Sequence, residues 1–231
     1  MGAELPSVRP ASVETQESAD QGGVVVARGK RVSLRTLTRA DLQYLGEWVE
    51  DPFLERMVGS ELFYAYKHVY DKDPSFYDAV LADPTQVVLI VMANRGWTKP
   101  LGLVRLFNIH LLEGYAFLEA VIADQKAIRR GFGVEAGQLI TCYGLDVLGL
   151  RRIEAKIYEY NLLSINSVKR NGFRQEGILR KAGFHDGQTW DVFVFGILKE
   201  EVEELRKDNE NARHFRYFPF DGGEGDVSGP T

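Results

Sequence analysis

One cysteine, Cys142, is all that the 231 residues contain, so no internal disulfide can form; that usage suits a reducing cytosol. Long apolar runs are missing too. The longest, Val87 to Ala93, stops far short of the ~20 residues that a membrane helix needs. No apolar block occupies the first twenty residues, where Glu4, Glu14, Glu17 and Asp20 sit instead, so they do not read as a signal peptide. Positive charge is in short supply: 28 Lys plus Arg against 33 Asp plus Glu give a net charge of −5, and a nucleic-acid surface needs a basic face. The four histidines, His68, His110, His185 and His214, are far apart and lack metal-ligand spacing, so no metal is expected. Neither a nucleophile elbow nor a Gly-Lys-Ser/Thr phosphate loop occurs. These absences leave a cytoplasmic protein with no nucleic-acid or membrane partner. Its composition, 45% hydrophobic and 26% charged, is that of one globular domain with tails.

What is present is an alternation of strand and helix. Residues 1–27 are rich in Ser, Glu, Gln, Gly and Pro without an apolar period and read as a disordered leader. Residues 28–208 read as the domain and 209–231 as a tail, most of it loose. Phe215, Tyr217, Phe218 and Phe220 are too aromatic for a pure tail and point to folding back on the domain or onto another copy, a homodimer. Arg31 to Leu37 alternates as a strand, and Thr38 caps a helix with Asp41 placed as in a capping box. A helix around Pro74 to Leu81 follows. Gln86–Ala93, Leu101–Ile109 and Tyr115–Ala123 then form an antiparallel meander. Phe132, Ala136, Leu139, Ile140, Tyr143 and Val147 recur at helical spacing until Gly149. Ile153, Ala155 and Ile157 mark another strand, Asn161 caps a shorter helix ended by Gly172, and Phe173–Ala182 and Thr189–Leu198 close as a strand pair before a charged helix. The pattern is an α/β fold around a central mixed sheet.

Between the meander and the longest helix lies Ile128-Arg129-Arg130-Gly131-Phe132-Gly133-Val134. Glycines let backbone amides approach a diphosphate, the helix N-terminus adds partial positive charge, and two arginines can pair with phosphate oxygens. Gly131, Gly133 and Ala136 also match a dinucleotide fingerprint, with Glu154 near where a ribose-binding acid falls. That reading requires a tighter turn than Asp124 to Arg130 provides, and such a domain usually opens with the motif. Two glycines that merely start a helix are the plainest alternative.

Downstream, Asn161-Leu162-Leu163-Ser164 runs on to Asn171-Gly172-Phe173, then Glu176-Gly177 and Trp190-Asp191. With the loop, this combination resembles the GNAT superfamily of acyl-CoA N-acyltransferases, over about Arg31 to Leu198, and within it the branch that acetylates ribosomal-protein N-termini. The resemblance implies a mostly antiparallel, twisted mixed sheet flanked by helices, with a V-shaped opening between two parallel strands, Tyr115–Ala123 and Arg152–Tyr158. It implies acetyl-CoA as acyl donor and an amine as acceptor. Val121 and Ile122 would contact the pantetheine arm, Arg129 and Arg130 the phosphates, and the amides of Arg130, Gly131, Phe132, Gly133 and Val134 would carry the diphosphate. Asn161 would hydrogen-bond pantetheine, or only cap its helix.

The family's direct attack leaves two proton transfers. Many relatives place Tyr four residues before Gly-Phe to meet the leaving thiolate; Val168 stands there, and Ser164 takes the position that the ribosomal-protein branch uses. Serine in a first turn also bonds backbone. A Glu that this branch carries after Glu-Gly is Gly183 here, so Glu119 is the nearest base. Burial among Phe117, Val121 and Ala123 would suit that role, and pairing with Arg105 would not. Asp191 either orients the amine or braces the hairpin. Acceptor choice falls to about Pro52–Gln86, with acids Glu55, Glu61, Asp71 and Asp73 and aromatics Phe63, Tyr64, Tyr66, Tyr70, Phe76 and Tyr77 as substrate wall or dimer surface. The acceptor is a protein N-terminus or a small amine such as an amino sugar, antibiotic or polyamine. A CoA-binding scaffold without chemistry is the other class.

Overall fold

The computed structural model describes residues 22–208 and 216–217. The rest of the expected leader and tail lies outside these residues. Nine described strands form one sheet in the order β7-β8-β6-β5-β4-β3-β2-β1-β9. β1 is Val25–Arg28, β2 Val32–Thr36, β3 Val87–Ala93, β4 Gly102–His110 and β5 Tyr115–Ile122. β6 is Arg152–Tyr158, β7 Arg174–His185, β8 Gln188–Leu198 and β9 the pair Arg216–Tyr217. β5–β6 is the one parallel pairing in this sheet; all others are antiparallel. A doubly wound dinucleotide domain, which needs a parallel sheet, is thereby set aside. The sheet starts at Val25, inside the stretch expected to be a leader, and β9 returns to it by pairing Tyr217 with Ala27.

Helices cover both faces. α1 (Leu42–Trp48), α2 (Pro52–Val58), α3 (Glu61–Tyr64) and α4 (Ser75–Ala82) lie over one core, with Leu45, Leu54, Phe63, Tyr66, Phe76 and Ile90 buried in it. α5 (Phe132–Cys142), α6 (Leu162–Arg170) and α7 (Lys199–Asp208) cover the other, through Leu139, Ile140, Ile165, Val168 and Val202. Asp41 sits beneath α1 as its spacing implies: it accepts from the Thr38 amide at 2.8 Å and from both Arg35 guanidinium nitrogens at 2.7 Å. α5 widens into a π turn at Tyr143–Val147, and Gly149, left-handed at φ 70°, ends the run.

The aromatic segment is mainly core rather than wall. Tyr66 and Phe76 rings lie 4.7 Å apart and both are buried, because the π turn after α3 (Ala65–Val69) and α4 need large side chains to fill the layer over the sheet. Its first members, Phe63 and Tyr64, line a cavity of about 320 Å³.

Candidate active site

β5 and β6 pair at Tyr115–Arg152, Ala116–Ile153 and Phe117–Glu154, and there the pairing stops. Beyond that point each strand follows its outer neighbour: β5 stays on β4 as far as Ile122, and β6 stays on β8 as far as Tyr158. The sheet's twist then drives the two apart. Leu118–Ile122 keeps backbone N–H and C=O groups turned toward the gap, as a strand bonded on one side does. A cleft of about 400 Å³ opens there. Its floor carries Arg105 and Glu119, α6 lends Asn161, Ser164 and Val168, and the α2–α3 junction closes it at Gly59.

The glycine loop lies past the end of β5 and leads into α5. Its helical ladder begins with Glu135 N–H on Gly131 C=O at 3.1 Å, so the amides of Phe132, Gly133 and Val134 precede it at the helix end. Gly131 is left-handed at φ 85° and Arg129 at φ 63°, a backbone that a non-glycine residue seldom adopts. Side chains fix this shape. Arg31 Nη1 donates to Arg130 C=O at 2.7 Å and the Arg31 amide donates to buried Glu135 at 2.9 Å. Trp97 Nε1 donates to Asp124 at 3.1 Å while its ring meets the Phe132 edge and lies 5.6 Å beneath the Arg130 guanidinium. Arg129 and Arg130 are exposed, and neither enters an ion pair among the described residues. Preformed amides, guanidinium groups outside any described ion pair and a gap beside unpaired strand backbone suit a long chain ending in a diphosphate.

The other sequence-derived residues divide. Ser164 lines the cleft one turn after Asn161, half-buried, and its hydroxyl makes no hydrogen bond among the described residues. Asn161 is buried and already engaged: Oδ1 accepts the Ser164 amide at 3.0 Å, and Nδ2 donates to Met57 C=O at 2.6 Å. It both caps α6 and ties α6 to α2. Val121 faces the α1–α4 core, 1% exposed, so only its backbone can address the gap; Ile122 packs toward Gly133. Asp191 braces the hairpin, accepting the Lys181 amide at 2.8 Å where β7 bulges, and it does not line the cleft.

Glu119 lies in the cleft, but in company other than the apolar surroundings that suit a base. Arg105 opposes it across β4–β5, and its guanidinium donates to Oε2 at 3.0 and 3.2 Å. Ser60 Oγ donates to Oε1 at 2.7 Å. Ser60 and Tyr158 are the residues that sequence reasoning missed. Ser60 could have been found as the cap of α3, whose Phe63 amide bonds its hydroxyl at 3.3 Å. Tyr158 alternates with Ile157, which points it away from that residue's core, and nothing in the sequence says that a cleft lies on that side. Behind it, burial and the neighbouring Tyr158 push the Tyr160 phenol above its usual range.

Comparison with known proteins agrees with this geometry. The mouse alpha/beta-tubulin-N-acetyltransferase 9 is 29% identical over 197 residues, covering 78% of this chain and 80% of that protein. An uncharacterized N-acetyltransferase, p20, of Bacillus licheniformis is 40% identical over 72 residues, 31% of this chain; the match spans only 40% of that relative's length. Among solved structures, the spermidine N-acetyltransferase of Vibrio cholerae in complex with CoA and spermine superposes with a TM-score of 0.62 at 22% identity, over 74% of this chain and 96% of that one. That likeness shows the fold. Residues 31–174 match the family described as acetyltransferase (GNAT) domain, and the chain belongs to that family.

Proposed function

We propose that this protein is an acetyl-CoA-dependent N-acetyltransferase whose acceptor is a primary amine, a protein N-terminus ahead of a small amine. One observation carries the reading: the strand gap at Phe117/Glu154 runs beside unpaired β5 backbone, with a glycine loop at a helix N-terminus past the strand's end. The match to a mouse protein named for acetylating tubulin supports a protein acceptor. So does the ribosomal-protein-branch pattern of Asn161, Ser164, Asn171-Gly172-Phe173 and Glu176-Gly177.

Bound acetyl-CoA supplies the thioester. In this reading a β5 amide polarises its carbonyl, the diphosphate rests on Gly131–Val134 with Arg129 and Arg130 beside it, and Val121 and Ile122 offer backbone to the pantetheine arm. An alkyl ammonium, with a pKa of roughly 8–10.5, gives up its proton before attack. Although the Arg105 pairing on Oε2 opposes a base role, Glu119 receives the proton in this reading on Oε1, whose one described donor, Ser60, leaves a second lone pair open. The Ser164 hydroxyl, unspent on its own helix, donates to the departing thiolate.

A thermal titration tests the cofactor class. A ligand at 100 times its Kd stabilises by ~2.7 kcal/mol, so acetyl-CoA and CoA raise Tm by several degrees while NAD leaves it unchanged. No shift with acetyl-CoA overturns the reading. Thiol release with an N-terminal peptide panel and with spermidine then identifies the acceptor. With that acceptor, Ser164→Ala lowers kcat roughly 10- to 100-fold, the worth of one hydrogen bond to charge at ~1.5–3 kcal/mol, and leaves KM for acetyl-CoA within a few fold. An equal rise in KM with kcat unchanged would place Ser164 in ground-state binding instead.

A further inference from the structure

Tyr158 ends β6 and stands between two cavities. The cofactor cleft lies on one side, and a second cavity of about 320 Å³ lies on the other; Gly59, Glu61 and Tyr158 belong to the walls of both. Two glycines make room for the ring. Gly59 closes α2 in the left-handed region at φ 57°, and a Cβ there would come within 2.8 Å of Tyr158 Cε2 and 3.2 Å of Oη. A Cβ on Gly183, in β7, would run into Tyr158 Cε1. The position where the ribosomal-protein branch can carry a glutamate is therefore filled by a tyrosine ring from β6 of the same sheet. Behind that ring, Tyr160 stacks at 5.3 Å with planes 8° apart. Tyr160 is fixed in turn by its hydroxyl on Arg56 C=O at 2.8 Å and by Trp190 edge-on at 4.9 Å.

Depth along the cleft follows from Ser60. It adjoins Gly59 and bonds Glu119, two residues past the last β5–β6 pair, so the Tyr158 ring stands near the level of Glu119, just beyond the point where the strands part. We propose that the Tyr158 ring is a partition that sets donor length: it ends the cofactor cleft at a two-carbon acyl group and reserves the second cavity for the acceptor. The inference rests on the cofactor reading above. The second cavity is walled in part by Trp48, Leu54, Phe63 and Phe184, an apolar lining able to hold an alkyl chain once the ring is gone. Each buried methylene then adds about fourfold to affinity.

Calorimetric titration of the full chain with acetyl-CoA and with octanoyl-CoA tests this. The quantity read is the ratio of octanoyl-CoA to acetyl-CoA affinity. Tyr158→Ala raises that ratio tenfold or more over the wild type, whereas Tyr158→Phe, which keeps the ring, leaves it unchanged. Tyr158→Val, β-branched and suited to a strand end, repeats the test should the alanine variant fail to fold by circular dichroism. A rise below threefold in a folded alanine or valine variant overturns the partition, and so does a phenylalanine variant that behaves like alanine. Acetyl-CoA bound by every variant at an unchanged ratio overturns the partition alone. Failure of the wild type to bind either acyl-CoA overturns the cofactor reading together with it.

Discussion

Glu119→Leu lowers the stability of the domain by about 3 kcal/mol, Arg105→Leu does the same, and the two together cost much less than the sum of the singles. Arg105 and Glu119 side chains are 5% and 13% exposed, so removing either carboxylate or guanidinium leaves the other charge in a site that water barely reaches. Leucine at both positions removes the stranded charge and fills much of the same space. Urea midpoints at constant m-value measure each effect. Singles that each lose less than 1 kcal/mol would mean that the pair is solvated in solution. Glu119 is also the proposed proton acceptor, and Glu119→Gln separates the two duties. The amide keeps an oxygen for Arg105 or Ser60 but cannot take a proton. Its kcat/KM therefore falls most near neutral pH and rises more steeply toward basic pH than that of the wild type, because it depends on amine that has already lost its proton, so the deficit shrinks where free amine is abundant. A wild-type pH profile in Glu119→Gln would leave Glu119 with its structural duty alone.

Apolar patterning was enough to place β2 to β8 and their order along the chain, because each face of the sheet buries a layer and period-two patterning records that burial. By contrast, β1 fell in the stretch read as a leader and β9 in the stretch read as a tail. Asp41 was legible for a local reason: a capping residue acts within four positions of itself. Glu119 was legible only in part. Its place on β5 followed from alternation, and Arg105 as a neighbour followed from the meander. Ser60 reaching it from a loop 59 residues away could not be read, since that contact depends on how α2 and α3 cross the sheet. Tyr158 is the clearest omission. Its role depends on two glycines, one in another strand and one at a helix end, and an empty position in a sequence carries no mark of what fills it. Asp191 went the other way: both orienting an amine and bracing the hairpin were open, and its bond to the Lys181 amide shows the brace.

Gly131→Val abolishes most acetyl-CoA binding, by 100-fold or more, while the domain still folds. The position combines two demands. Its φ of 85° lies where a β-branched residue is strained, and a Cβ would come within 2.8 Å of Arg31 Nη1, the group that holds Arg130 C=O at 2.7 Å. Valine therefore either swings the peptide out of the left-handed region or displaces Arg31; in both cases the amides that follow no longer converge on one point. Gly149→Val supplies the control. Gly149 is left-handed at φ 70° but an added Cβ meets nothing within 4 Å, so valine there carries backbone strain without disturbing the loop. Its stability falls by ~1–2 kcal/mol while acetyl-CoA affinity holds. S-acetylpantetheine, which lacks the diphosphate, sharpens the comparison. Because only the diphosphate rests on the loop, its weaker binding is unchanged by Gly131→Val. Equal losses for acetyl-CoA and S-acetylpantetheine would mean that the substitution closes the cleft rather than the loop. Undiminished acetyl-CoA affinity in Gly131→Val would move the diphosphate away from the start of α5 altogether.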